Sequence, residues 1–262
     1  MSAGLDFESK ILVKRNAPQL LREALDKKSY EPDVIAMSGV TDCYQPGERE
    51  FRLTRQCLEV LAEYRNPVGL ITKNRLVTRD IDILQEMAAW GGACAIVSVT
   101  TLNADLCGKL EPRASRPAAR LEAIEALANA GIPVGVNAAP MIPGLTDNEL
   151  PAIIKAAADA GASFASYIVV RLPGAVGGIF ESWLERNYPD SRQKVMNRIA
   201  EVHGGRVSDS RFGTRMKGEG EYAQQLKALF AAAKRKTGLG GYPALSREHF
   251  RRPQRGQMDL FG

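Results

Sequence analysis

The chain has 262 residues, a length that suits one α/β barrel or two small domains. Hydrophobic residues make up 45% and charged residues 25%, as is ordinary for a soluble globular protein. No apolar run approaches the roughly eighteen residues of a membrane span, and Asp6 and Glu8 interrupt a start that lacks the apolar core of a signal peptide. We therefore expect a cytoplasmic protein without a membrane partner.

The net charge of +5 is concentrated at one end of the chain. Residues 203–262 contain 12 basic and 5 acidic side chains, a net charge of +7, whereas residues 1–202 carry −2. Such a basic segment is either a solvated tail or a surface that faces nucleic acid.

Short apolar runs alternate with helical patterns from residue 11 to residue 170. A strand over Ile11–Lys14 and a helix over about 17–28 come first. The later strands are predicted at Asp33–Ser38, Val68–Thr72, Ala93–Val99, Ile132–Ala138 and Phe164–Val170. The helices between them are predicted near 51–64, 79–90, 116–130 and 146–160, and further helices near 179–203 and 219–236. Repeated strand–helix units with continuous apolar strands predict a parallel sheet, either open or closed into a barrel.

Polar residues recur where each predicted strand ends. They are Ser38, Thr41 and Asp42, then Thr72, Lys73 and Asn74, then Ser98, Thr100 and Thr101, then Asn137, and finally Arg171. In parallel α/β folds the carboxyl ends of the strands lie at one edge, where ligands bind. The sequence therefore predicts a ligand site at this edge of the sheet.

Four segments together resemble the DNA-repair-photolyase-like radical S-adenosylmethionine (SAM) proteins, which are relatives of spore photoproduct lyase. The segments read GLDFESKI, SGVTDCYQPGERE, a strand that ends in TKN, and LEPRASRPAARLEAIEALANAGIPVGVNAAPMIPGLTD. The resemblance covers most of residues 4–175. It implies a partial (β/α)6 TIM-like barrel over 1–175 that lacks an N-terminal strand. A helical, basic extension over 176–240 and a flexible basic tail over 241–262 would follow.

The resemblance also implies which residues bind SAM. They are Thr41, Asp42, Lys73, Ser98, Glu111, Arg113, Asn137 and Pro140. An anion such as Asp42 suits the SAM ammonium, a cation such as Lys73 suits its carboxylate, and hydroxyls suit its ribose. Other roles stay open: Thr41 and Asp42 could shape a turn, Lys73 could be a solvated cation, and Glu111 and Arg113 could form a surface ion pair.

The cysteines depart from the family pattern. The family binds a [4Fe–4S] cluster through a CxxxCxxC motif just before the GLDFE-like segment, whereas this chain has only Cys43, Cys57, Cys94 and Cys107 at unsuitable spacings. We therefore expect no metal ligands in this chain and no SAM cleavage by the chain alone. The lyase relatives also have a hydrogen-donating cysteine where Val40 stands, so dimer-splitting activity is not expected. The sequence identifies no catalytic residue.

The end of the chain is similar to the short peptide by which bacterial DNA-repair proteins bind the sliding clamp. Its matching residues are Gln257, Met258, Leu260 and Phe261, which follow an arginine-rich segment. Two alternatives to the radical SAM interpretation follow from the residues. One is a non-catalytic DNA or clamp adaptor that works through this tail, and the other is an α/β-barrel lyase that uses Lys73 as a Schiff-base amine.

Overall fold

A computed structural model describes residues 11–38, 41–211 and 213–253. Within them lies a five-stranded parallel sheet of strands β1 (Ile35–Met37), β2 (Val68–Thr72), β3 (Ala93–Ser98), β4 (Val134–Met141) and β5 (Phe164–Val169). The strands lie in the order β1-β2-β3-β4-β5, so each one pairs with its neighbour in sequence. This order is the one that a TIM-like barrel uses, and it confirms the predicted α/β partial barrel.

Helices connect and cover the strands. They are α1 (Ala17–Asp26), α2 (Glu48–Phe51), α3 (Leu53–Tyr64), α4 (Ile81–Ala89), α5 (Ala104–Leu110), α6 (Pro117–Asn129), α7 (Leu150–Asp159), α8 (Val176–Asn187), α9 (Pro189–Val202) and α10 (Gly220–Thr237). Short 3-10 helices at Arg75–Asp80 and Asp147–Glu149 precede α4 and α7. None of the helices in the described ranges is long and apolar enough to cross a membrane.

The sheet is apolar on both faces, which explains why its strands read as continuous apolar runs. On the helix-covered face, Val97 of β3 packs in one cluster with helix residues such as Leu61 and Ile124. Cys94 and Ile96, which alternate with Val97 along the strand, form a separate cluster with Phe164 on the opposite face. The alternation places one core behind the sheet and a smaller one inside the partial barrel.

The predicted strand over Ile11–Lys14 is wrong. These residues are extended but unpaired, the backbone N–H of Arg15 turns back to the Val13 carbonyl, and Leu12 is 81% exposed. An apolar run becomes a strand only where a neighbouring strand accepts its backbone hydrogen bonds, and no described strand lies beside this one.

The helical extension is continuous with the core of the barrel. Val202, Ala223 and Leu226 belong to the same buried cluster as the strand residues. The loop before α10 also lies along the free edge of β5, because the Val169 N–H donates to the Met216 carbonyl at 2.9 Å. The segment predicted as a separate extension over 176–240 thus completes the sheet at its β5 edge.

Residues 239–252, which we call the strap, cross the amino-terminal edge of the sheet. Gly240 pairs with Phe164 at the start of β5, and the Ser246 N–H donates to the Gly91 carbonyl just before β3 at 2.9 Å. Near its end, the Phe250 ring packs against Tyr30 and Tyr64, with ring centroids 5.6 and 6.4 Å apart. The strap therefore bridges the two edges of the sheet.

Two arginines of the strap bind backbone carbonyls at the ends of helices. Arg252 donates to the Leu25 carbonyl in the last turn of α1 and to the carbonyls of Lys27 and Tyr30 after it, and Arg251 Nε donates to the Glu63 carbonyl in the last turn of α3. A cation at a helix carboxyl end is favoured because it pairs with unsatisfied carbonyls and with the helix dipole. The backbone and side chains of residues in this part of the predicted tail thus contact the barrel.

Replacing Phe250 with alanine should lower the free energy of unfolding by about 2–3 kcal/mol, somewhat less than for a fully buried phenylalanine. The change removes the aromatic contact that holds the strap to Tyr30 and Tyr64. Urea denaturation followed by circular dichroism measures the loss. Leu229→Ala on the exposed side of α10 is the control. Equal losses of unfolding free energy in Phe250→Ala and Leu229→Ala would show that the strap contact adds no stability.

Candidate functional site

The carboxyl ends of the strands surround a cavity of about 260 Å³. Its lining residues are Lys73, Ser98, Ala139, Pro140, Ile168, Val169, Arg171 and Met216. Three of the predicted cofactor-binding residues, Lys73, Ser98 and Pro140, thus meet at one cavity although they lie at the carboxyl ends of three different strands. The Ser98 hydroxyl forms no hydrogen bond within the described ranges, so it is available to a ligand.

A larger surface depression of about 480 Å³ lies beside α1, away from the strand ends. It is lined by Arg15, Asn16, Pro18, Gln19, Arg22 and Gln56, and Arg22 forms an ion pair with Glu63. We place the site at the smaller cavity, because only there do the polar residues of several strand ends converge.

A buried carboxylate positions the lysine of the cavity. Glu111, on the turn after α5, forms an ion pair with Lys73 Nζ, and its Oε1 also lies 2.9 Å from Thr100 Oγ1. Its Oε2 accepts a hydrogen bond of 2.6 Å from Arg120, a residue of α6 that is 1% exposed. Arg120 is held in turn by the Ser98 carbonyl, so the network joins the ends of β2 and β3.

The pKa of Glu111 lies below its ordinary value of 4.5. Burial alone would raise this pKa, but the charges of Lys73 and Arg120, and the hydrogen bonds from both, outweigh burial. Glu111 is therefore ionised at neutral pH. Since both of its oxygens are already bound, it acts on the cavity through Lys73, and the open interpretation of a surface pair with Arg113 is wrong for Glu111.

Asp42 links the loop after β1 to the end of β2. Its Oδ1 accepts from the Tyr44 N–H at 2.8 Å and from Thr72 Oγ1 at 2.7 Å, and its Oδ2 accepts from the Lys73 N–H at 2.7 Å. The carboxylate thus fixes the backbone of Lys73. This is the turn-shaping role that the sequence left open, while the side chain of Thr41 is exposed at the rim.

The remaining predicted residues lie beside or below the cavity. Asn137 is buried in β4, in register with Ser98, and its Oδ1 accepts from Ser166 Oγ at 2.9 Å. Arg113 is exposed on the turn after α5 and does not line the cavity. The structure therefore brings together Lys73, Ser98 and Pro140, with Asp42 and Glu111 behind them, and leaves Arg113 outside.

The four cysteines do not fit a [4Fe–4S] cluster. Cys43 Sγ lies 3.8 Å from the Ile71 carbonyl, Cys57 lies on α3, Cys94 is inside the barrel and Cys107 is on α5. Burial raises the pKa of all four thiols, those of Cys57 and Cys94 to about 11, which opposes the thiolate form that binds iron. Within the described ranges no three His, Cys, Asp or Glu side chains converge as metal ligands.

Arg171 and Met216 are among the cavity residues that were not assigned from the sequence. Arg171 follows β5, and the strand-end pattern marked its position without giving it a role. Met216 reaches the cavity from the loop along β5, and no local pattern indicates that contact. Arg120 behind the cavity was also missed, because a helical arginine is usually exposed.

The predicted partner contacts stay predictions. The clamp-binding candidates Gln257, Met258, Leu260 and Phe261 lie outside the described residues. In the described part of the basic tail, Arg251 and Arg252 bind backbone carbonyls of the barrel. DNA binding by the tail would therefore depend on its other basic residues.

Comparison with known proteins supplies the family. The model of the radical SAM superfamily matches residues 7–157. An uncharacterized protein of Mycobacterium tuberculosis is 31% identical over 189 residues, which are 71% of this chain and 56% of that protein. An uncharacterized protein of Methanocaldococcus jannaschii is 28% identical over 190 residues, 72% of this chain and 68% of that protein. The chain thus spans a little over half the length of the mycobacterial relative.

Solved structures of spore photoproduct lyase have a similar fold. A variant of that enzyme matches 90% of this chain and 68% of its own, with a TM-score of 0.63 and 16% identity. Another, solved with bound SAM and a dinucleoside spore photoproduct, matches 87% of this chain and 66% of its own, with a TM-score of 0.61 and 16% identity. At this identity the likeness shows a shared fold and nothing about substrate.

Proposed function

The chain belongs to the radical SAM superfamily, and on that premise we propose that it binds SAM at the cavity above the ends of β2, β3 and β4. The observation that carries the proposal is the meeting of Lys73, Ser98 and Pro140 at that cavity. The solved relative with bound SAM has the same fold, which supports a cofactor site at this edge of the sheet.

The side chains of the cavity suit the parts of SAM. The Lys73 ammonium is a partner for the SAM carboxylate, and the Ser98 hydroxyl is a partner for the ribose. Ala139 and Pro140 offer an apolar wall to the adenosine. Asp42 and Glu111 hold the Lys73 backbone and ammonium in place, so the cation is preorganised for the ligand.

SAM supplies a carbon-centred radical when a [4Fe–4S] cluster cleaves it reductively, the chemistry for which the superfamily is named. The cysteines of this chain do not fit such a cluster, so we propose that the chain alone binds SAM without cleaving it. Cleavage would belong to a protein that also carries cluster ligands. On the fold likeness, we propose a reaction related to that of the DNA-repair photolyase-like lyases for such a protein.

The alternative of a Schiff-base lyase has less support. Nucleophilic lysines are activated by an apolar pocket or by a neighbouring cation. Lys73 instead forms an ion pair with Glu111, which occupies the amine that a Schiff base would require.

Replacing Lys73 with methionine should weaken SAM binding by about 10- to 100-fold, as expected for the loss of one charge-assisted hydrogen bond. Isothermal titration of the purified chain with SAM measures the effect, and circular dichroism checks that the variant is folded. Lys155→Met is the control, because Lys155 lies 67% exposed on α7 and does not line the cavity. SAM binding that is absent in the wild type, or equal in both variants, would refute the proposal.

A further inference from the structure

Arg171 is a half-buried cation with no acceptor among the residues that the structure describes. It follows β5 and lines the cavity, and its Nε is buried without a hydrogen-bond partner. No described residue forms an ion pair with its guanidinium. Burying a charged donor without an acceptor is costly, and proteins retain such groups mainly where a ligand satisfies them.

The charge of Arg171 is unbalanced within the cavity. The other cation of the lining, Lys73, is paired with Glu111, a carboxylate that it shares with Arg120, and none of the lining residues is acidic. The side of the cavity next to β5 is therefore positive. A half-buried cation favours an anionic ligand. Its planar guanidinium can bind two oxygens of a phosphate or carboxylate at once.

The position of Arg171 separates it from the proposed SAM residues. Those residues belong to β1 to β4 and the loops after them, whereas Arg171 follows β5 and lines the cavity together with Ile168 and Met216. Met216 is held there by its carbonyl, which accepts from the Val169 N–H, and it is 37% exposed. A ligand on this side would meet one cation and an apolar surface.

We propose that Arg171 binds the anionic oxygen group, phosphate or carboxylate, of a second substrate whose apolar part packs on Ile168 and Met216. The inference rests on the proposed function, because it assigns the rest of the cavity to SAM. Arg171 is then a binding residue for the molecule that lies beside the cofactor, and an anionic group is expected on this side of the cavity.

The test measures the binding of inorganic phosphate and of acetate to the full chain by NMR titration. The wild type should bind at least one of the two anions. Arg171→Gln should weaken that binding at least tenfold, Arg171→Lys should weaken it less, and SAM affinity should stay within about twofold because a different group binds the cofactor. Binding of phosphate alone would identify a phosphate substrate, and binding of acetate alone would identify a carboxylate. Arg75→Gln, at an exposed ion pair with Glu122, is the matched control.

Thermal unfolding separates a binding role from a structural one. Because Arg171 has no partner to lose in the described part of the chain, Arg171→Gln should leave the midpoint unchanged or raise it. Anion binding that is absent in the wild type, or unchanged in Arg171→Gln, would overturn the inference. So would a loss of SAM affinity in Arg171→Gln, since it would assign the residue to the cofactor. If the wild type binds an anion through Arg171 but no SAM, the proposed function fails and the anion site stands.

Discussion

Replacing Glu111 with glutamine is expected to lower the free energy of unfolding by about 3 kcal/mol, near the lower end of the range for breaking a buried ion pair. The change leaves the charge of Arg120, which is 1% exposed, without its carboxylate, and it frees the ammonium of Lys73. Urea denaturation at pH 7 measures the loss. Glu122→Gln is the control, because Glu122 and its partner Arg75 are both more than half exposed, and such pairs contribute less than about 1 kcal/mol.

The effect of Glu111→Gln should depend on pH in a stated direction. The folded pKa of Glu111 lies below its ordinary value of 4.5, so the carboxylate stabilises the fold fully above about pH 5. That stabilisation is lost as the pH falls below 4.5 and through the folded pKa. The difference in unfolding free energy between wild type and variant should therefore be constant from neutral pH to about pH 5 and should then shrink. A difference that stays constant down to pH 3 would show that the fold does not lower the pKa of Glu111.

Replacing Asp80 with alanine is the second change with a large expected effect, about 3 kcal/mol or more of lost stability. Asp80 is fully buried, accepts from Tyr44 Oη at 3.0 Å and pairs with both Arg55 and Arg79. Its removal leaves two guanidinium groups with fewer acceptors and frees the ring of Tyr44. Chemical denaturation measures the loss.

Asp82→Ala is a closely matched control for Asp80→Ala. Asp82 also pairs with Arg55 but is 62% exposed, so its removal should cost less than about 1 kcal/mol. Asp80→Ala should weaken SAM binding as well. The Tyr44 N–H donates to Asp42, and Asp42 in turn holds the backbone of Lys73 at the cavity. Equal losses of stability in Asp80→Ala and Asp82→Ala would mean that the burial of Asp80 adds nothing to its ion pair with Arg55.

Local patterns in the sequence were sufficient to predict strands β2 to β5 and the edge of the sheet where the site lies. The runs that became β2 to β5 are apolar on both faces, because helices cover one face and the barrel interior covers the other. Since strand order follows chain order, residues after successive strands had to meet at one edge, as Lys73, Ser98 and Pro140 do. The family could also be identified from the order of its segments along the chain.

The partners of the polar groups were decided only by the tertiary structure. A carboxylate reads the same in sequence whether it faces a ligand or a backbone N–H, so the structure alone shows that Asp42 fixes Lys73. Arg252 has the same basic character whether it faces nucleic acid or the end of α1, more than two hundred residues away in the chain. Burial periodicity is a local property, whereas hydrogen-bond partners depend on which distant segments meet. For the same reason, the sequence could not show that no described strand lies beside the apolar run Ile11–Lys14. It also could not show that Arg171 Nε has no hydrogen-bond partner among the described residues.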